Sequence, residues 1–164
     1  MRGAWALVLA MALARAEPRR VNVRTPPSAV GAPLPSLSLR TLDGSPWQPD
    51  GPLVLVFWAT WCAPCIRELP AFLDFAREVP PPAVALAVSL DTDAETVRRH
   101  FPQGVPPAVA RALELEGAQS LGVTTLPHTI ILGPDNERRA DLAGDRDWAS
   151  PAVRQEVLQA LGAR

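Results

Sequence analysis

Leu53-Val54-Leu55-Val56-Phe57-Trp58-Ala59-Thr60-Trp61-Cys62-Ala63-Pro64-Cys65-Ile66-Arg67-Glu68-Leu69-Pro70 is the stretch from which the rest of this 164-residue chain can be placed. Residues 53–57 form a short apolar run of β-branched and aromatic character, which suits a strand buried on both faces. Apolar residues then recur at Ile66, Leu69, Phe72, Leu73 and Phe75 with helical spacing. Cys62 and Cys65 therefore fall where a strand hands over to a helix N-terminus. The first N–H groups of a helix lack intrahelical partners and, with the macrodipole, favour an anion, so a thiol placed there ionises more readily. A thiol tuned from about pKa 8.5 to about 7 goes from about 3% to about half thiolate at pH 7. Intrinsic nucleophilicity falls with pKa, which leaves attack roughly threefold faster, and such a thiolate also leaves well.

Trp61-Cys62-Ala63-Pro64-Cys65 after a buried strand resembles the active site of thioredoxin-fold proteins. The flanking Phe57-Trp58-Ala59-Thr60 is similar to that of the TlpA-like, extracytoplasmic thiol-disulfide reductases. The resemblance extends from about Val30 to Leu161. Pro70 falls where that family carries a proline inside its first helix, and Leu126-Pro127 before an apolar strand matches its cis-proline segment. The implied fold is α/β and thioredoxin-like, a mixed central sheet flanked by helices with an N-terminal β-hairpin. The implied activity is protein-disulfide reduction, with no cofactor beyond the two sulfurs.

Composition agrees with a globular domain: 48% hydrophobic, 20% charged, and a formal net charge of −1 that argues against a nucleic-acid surface. All 16 basic residues are arginine, and tyrosine is absent, so no phenol takes part in the chemistry. Arg2, the apolar stretch Ala4 to Leu13 and Ala14-Arg15-Ala16 read as a signal peptide over residues 1–16, too short to span a bilayer. Retention as an anchor is the alternative. Glu17 to Pro35 holds five prolines and no period, and reads as a linker or disordered start. The folded domain is then 36–164, periplasmic or secreted, and expected to be a monomer.

Within the domain, Leu37–Arg40 and Ser45–Gln48 around Asp43-Gly44 predict the hairpin, with Trp47 as its packing residue. The first helix should run to about Glu78 and stop at Pro80-Pro81-Pro82. Ala83 to Leu90 predicts a strand, followed by a helix to about Phe101 opened by a Thr92/Glu95 capping box. Val105 to Ala110 predicts a short strand, and Glu114 to Leu121 a helix ended by Gly122. Thr129–Leu132 and Arg138–Leu142 predict an antiparallel pair. Ser150-Pro151 opens a last helix whose Val153, Val157, Leu158 and Leu161 face the sheet, with Trp148 packing against it.

In an oxidising compartment a cysteine pair is ordinarily a structural staple. A crosslink spanning two intervening residues restricts the unfolded chain little, which favours a redox role. Cys62, before the first helical turn, is the exposed attacking thiol, and Cys65, one turn in, the buried resolving thiol. The resemblance makes Trp61, Leu126 and Pro127 substrate-binding residues. Thioredoxin's buried aspartate, six residues before the first cysteine, is replaced here by Val56, so the proton acceptor for Cys65 must be another group. Asp91 or Asp93 is the candidate, with helix-cap or surface duty as the alternative. His128 stands where the family more often has threonine and can shift a thiol pKa or simply end a strand. His100, beside Arg98 and Arg99, reads as solvated.

Other readings fit less well. The distance in sequence between His100 and His128 is far from zinc-finger spacing. A thioredoxin-fold copper chaperone, with two thiolates and an imidazole, is the non-enzyme rival, but such proteins have a Cys-x-x-x-Cys spacing. A peroxiredoxin would have Thr or Ser where Ala59 stands. Ala63-Pro64 lacks the histidine of strongly oxidising relatives, so a reducing or intermediate potential is expected. A reductant outside the cytoplasm needs electrons, which makes a membrane thiol transporter the implied partner. Apocytochrome c and mispaired secreted proteins are the substrates that the resemblance offers.

Overall fold

The computed structural model describes residues 39–47, 51–112 and 115–162. The expected leader, the linker and the first half of the hairpin's first strand lie outside the described residues. In chain order the elements are β1 (Leu39–Arg40), β2 (Pro46–Trp47), β3 (Leu53–Trp58), α1 (Ala63–Glu78), β4 (Val84–Ser89) and α2 (Ala94–His100). They continue with β5 (Val109–Ala112), α3 (Leu115–Ser120), β6 (His128–Leu132), β7 (Arg138–Ala143) and α4 (Pro151–Ala160).

The strands make one mixed sheet in the order β2-β1-β5-β4-β3-β6-β7. β3, β4 and β5 run parallel, while β6 and β7 extend the sheet on the other side of β3 as antiparallel neighbours. Every residue of β3 is buried, because alternate side chains enter two separate cores. Val54, Val56 and Trp58 join Leu69, Phe72, Phe75 and Trp148 on one face; Leu53, Leu55 and Phe57 join Ala118, Leu121, Ile130 and Leu132 on the other. Such double burial is why the run reads as continuously apolar instead of alternating.

α1 owes its register to the apolar positions 65, 69, 72, 73 and 75, all buried. Pro70 lies inside it, where the missing N–H leaves the Ile66 carbonyl without its usual donor. Three expectations need correction. The helix after β4 is capped by Asp93, not Thr92: its carboxylate accepts from the N–H groups of Glu95 (3.1 Å) and Thr96 (3.0 Å), and its pKa is lowered chiefly by the first of these bonds. The short strand expected at Val105–Ala110 lies at Val109–Ala112, because Pro106 and Pro107 offer no ladder donor and Val109 N–H instead closes a turn on the Pro106 carbonyl (3.0 Å). β5 also pairs with β1, and thereby attaches the hairpin to the sheet. Finally, His100 is half-buried, its ring 5.5 Å from that of Trp58 and 5.0 Å from that of Phe101.

Trp148 is fully buried in one cluster with Val157 of the last helix and Leu161 at its C-cap, and also packs on α1, edge-on to Phe72 (5.0 Å) and stacked on Phe75 (5.2 Å). Among the described residues no helix is long and apolar enough to cross a membrane.

Candidate active site

β3 ends at Trp58, and the chain turns through Ala59, Thr60 and Trp61 into α1. Cys62 is the helix N-cap: its N–H bonds to the Ala59 carbonyl (3.1 Å), its own carbonyl accepts from Ile66, and its sulfur accepts from the Cys65 N–H at 3.4 Å. A sulfur is thus held in the field of the helix N-terminus, with Ala63 and Pro64 filling the first two helical positions. The two cysteines are joined as a disulfide, Cα to Cα 5.3 Å. Cys62 is less open than the sequence suggests. It is 6% exposed against 1% for Cys65, since its side chain turns inward over the helix end.

Next to this bond opens a cleft of about 610 Å³. Trp61 to Pro64 make one wall and Val123 to Leu126 the other, with Leu90 and Gln119 also in the lining; among the described residues no charged side chain lines it. Trp61 is 71% exposed at its rim, the one large exposed hydrophobic among the described residues. The Leu126–Pro127 peptide bond is cis. Leu126 faces the cleft, whereas Pro127 is buried behind it and its carbonyl accepts from Gly144 N–H at 2.9 Å. Among the described residues no hydrogen bond engages the backbone of Thr124, Thr125 or Leu126.

Neither candidate acid lines the cleft. Asp93 is exposed and committed to capping α2. Asp91 is buried and holds the loop that precedes Cys62. One carboxylate oxygen accepts from Thr60 N–H (3.0 Å) and from the Ser89 hydroxyl (2.8 Å); the other accepts from the Thr60 hydroxyl (2.8 Å). Asp91→Ala strands these buried donors. It should lower unfolding free energy by about 2–3 kcal/mol in a denaturant titration, the range for losing bonds to a charged group.

The acid that the sequence reading passed over is Glu68. It lies three residues beyond Cys65, on the same buried face of α1, and is 8% exposed. Positions i and i+3 of a helix stand about 5–6 Å apart at Cβ. Burial raises the Glu68 pKa from 4.5 to about 7, against the downward pull of the Arg146 N–H, which donates to Oε2 at 2.7 Å. The indole N–H of the buried Trp148 also lies close enough to the carboxyl to lower its pKa, although Oε1 and Trp148 Nε1 do not meet in full hydrogen-bond geometry. The sequence did carry a signal, since Cys65, Glu68, Leu69 and Phe72 share one helical stripe.

His128 is also buried, with Nε2 2.5 Å from an Asp141 carboxylate oxygen. Nε2 is therefore committed to Asp141, while the buried Nδ1 has no hydrogen-bond partner among the described residues. Among the described residues no group of three potential metal ligands comes together.

A disulfide at a helix N-terminus, on a mixed sheet with a cis-proline opposite, defines the thioredoxin fold. The chain belongs to the thioredoxin-like family, whose profile matches residues 50–138. Thioredoxin-like protein YneN of Bacillus subtilis (strain 168) is 41% identical over 69 residues, 40% of this chain and 40% of that one. The chain spans about half the length of the curated relatives it matches. Among solved structures, a thiol:disulfide interchange protein of the thioredoxin family from Chlorobium tepidum TLS superposes with a TM-score of 0.66 at 21% identity, covering 80% of this chain and 97% of that one. The exposed lipoprotein thioredoxin of Streptococcus pneumoniae strain TIGR4 gives 0.61 at 18% identity, over 74% of this chain and 97% of that one. At these identities the likeness is one of fold.

Proposed function

We propose that the chain is a TlpA-like thiol-disulfide oxidoreductase that reduces protein disulfides outside the cytoplasm. The observation that carries this reading is the placement of Cys62: a sulfur at the helix N-terminus, on the wall of an uncharged cleft, bonded to a second sulfur sealed behind it. In the reduced form, the Cys62 thiolate attacks one sulfur of a substrate disulfide. The substrate S–S bond breaks, and its other sulfur departs with the bonding electron pair and takes up a proton. Cys65 loses its proton to Glu68 and attacks Cys62, releasing the second substrate thiolate and leaving the Cys62–Cys65 disulfide. Two electrons have passed to the substrate.

The unpaired backbone of Leu126 supports binding of an extended substrate segment, and Trp61 offers it an apolar edge. Export is supported by the leader-like residues 1–16, with 17–35 as a tether. Since the dithiol must be regenerated there, a membrane thiol transporter is the electron donor, and the chain works as a monomer. Apocytochrome c or mispaired secreted proteins are the substrates.

A redox titration of the pair, run beside an insulin-reduction assay, tests the proposal. The expected potential lies below about −220 mV, the biochemical glutathione poise, with insulin reduced at the expense of a small dithiol. A potential near about −120 mV would reverse the direction of transfer. Stoichiometric Cu(I) binding without dithiol turnover would favour the chaperone.

A further inference from the structure

The second wall of the cleft has no hydrogen-bonded ladder of its own, yet a buried charged network on β6 and β7 holds both of its ends. At the start of the wall segment, Arg138 donates from Nη2 to the Leu121 carbonyl at 2.9 Å. Through Nη1 the same guanidinium pairs with Asp141, whose other carboxylate oxygen lies 2.5 Å from His128 Nε2. His128 directly follows Pro127, at the far end of the segment. One guanidinium and one carboxylate thus connect residue 121 to residue 128 across the loop that presents Val123 to Leu126.

Arg138, Asp141 and His128 have side chains only 5–8% exposed. Burial of this kind is a poor way to gain stability, because desolvation offsets most of the attraction between the charges. What the Arg138–Asp141 pair does supply is a fixed geometry, since both carboxylate oxygens and both guanidinium Nη atoms have partners, although His128 Nδ1 has none. The sheet register makes the arrangement rigid: His128 pairs with Phe57, at the end of the strand that leads to Cys62, and Asp141 lies opposite Ile130. The ladder thus holds His128 against the strand that leads to Cys62, and Arg138 and Asp141 tie the other end of the wall to that anchor.

We propose that Arg138, Asp141 and His128 are positioning residues that fix the Thr124–Leu126 wall for polypeptide substrates, so that they govern specificity without touching the reacting sulfurs. This rests on the disulfide-exchange reading above. A small disulfide needs only Cys62, whereas a peptide segment must also lie along the wall.

The test compares insulin with 5,5′-dithiobis(2-nitrobenzoate) as substrates for Arg138→Met and Asp141→Asn. The expected result is a KM for insulin raised about tenfold, a loosened wall costing less than the roughly 10²-fold that a fixed misplacement of about 1 Å can cost. kcat on the small disulfide and the Cys62–Cys65 potential should stay at the wild-type values. Backbone ¹⁵N order parameters at Thr124, Thr125 and Leu126 should fall in both variants, a readout that needs no turnover and holds even if the wild type reduces neither substrate. Equal losses on the two substrates, an unchanged KM for insulin, or unchanged order parameters would overturn the proposal. So would failure of both variants to fold, since the network would then be a requirement of the fold alone.

Discussion

Cys62→Ser should abolish disulfide reduction, whereas Cys65→Ser should leave the first attack intact and stop the cycle at a mixed disulfide. The asymmetry follows from their places on the helix. Cys62 is the N-cap residue and lines the cleft; Cys65 is 1% exposed and reaches no substrate except through Cys62. The hydroxyl of the Cys62→Ser variant, with an ordinary pKa far above that of a thiol, neither ionises near neutral pH nor attacks sulfur, so turnover of insulin should fall to the uncatalysed background. With Cys65→Ser, nothing inside the protein displaces the substrate from Cys62. A covalent adduct should accumulate, visible as a mass increase on intact-protein spectrometry and removable by excess dithiol. Equal trapping by both variants would assign the attack to the wrong sulfur. The disulfide closes only a short loop, so its loss should change stability far less than activity.

Much of this arrangement was legible because burial on two faces leaves a strong local trace. Leu53 to Phe57 could be read as a strand and Ile66 to Phe75 as a helix from spacing alone, and the handover between them located both cysteines. The boundary of β5 was less legible, since Val-Ala-Arg-Ala is a weak strand signal and the nearby prolines shift where a ladder can start. Asp-Thr-Asp before α2 holds three residues able to cap a helix, and only the backbone conformation selects Asp93. Asp91, two residues earlier in the same acidic run, proved to be a loop clamp, because Thr60 comes to it from 31 positions away. Nothing in Arg138–Leu142 beyond its reading as a strand marked Arg138 and Asp141 as buried side chains. The Arg138 guanidinium reaches the Leu121 carbonyl, 17 positions away in the chain, and no local pattern encodes that meeting. Glu68 was hidden in a different way: an acid next to Arg67 on a helix reads as surface unless its register with Cys65 is followed.

The consequence of that register is the second large effect. Cys65 can displace Cys62 only as a thiolate, and it is sealed from bulk water, so its proton needs an internal acceptor. Glu68 is suited to the task by its burial, by its place one helical turn beyond Cys65, and by a pKa of about 7 that lets it accept and return a proton near neutrality. Glu68→Gln keeps the shape and the Arg146 contact but removes the basicity. It should slow release of the mixed disulfide by about 10²-fold, the lower end for loss of a positioned base, while formation of the adduct on Cys62 is unchanged. A stopped-flow measurement that separates the two phases checks this. The same carboxyl makes a prediction for stability. In the unfolded chain it ionises near 4.5, whereas in the folded protein it keeps its proton up to about 7. The folded state therefore binds more protons than the unfolded state between those values. Its contribution to stability is greatest below the lower value and is lost as pH rises through the interval. Melting temperatures of the wild type should decline across this range more steeply than those of Glu68→Gln, and the variant should be the more stable of the two at pH 7. Parallel curves for the two proteins would mean that Glu68 does not hold its proton in the fold.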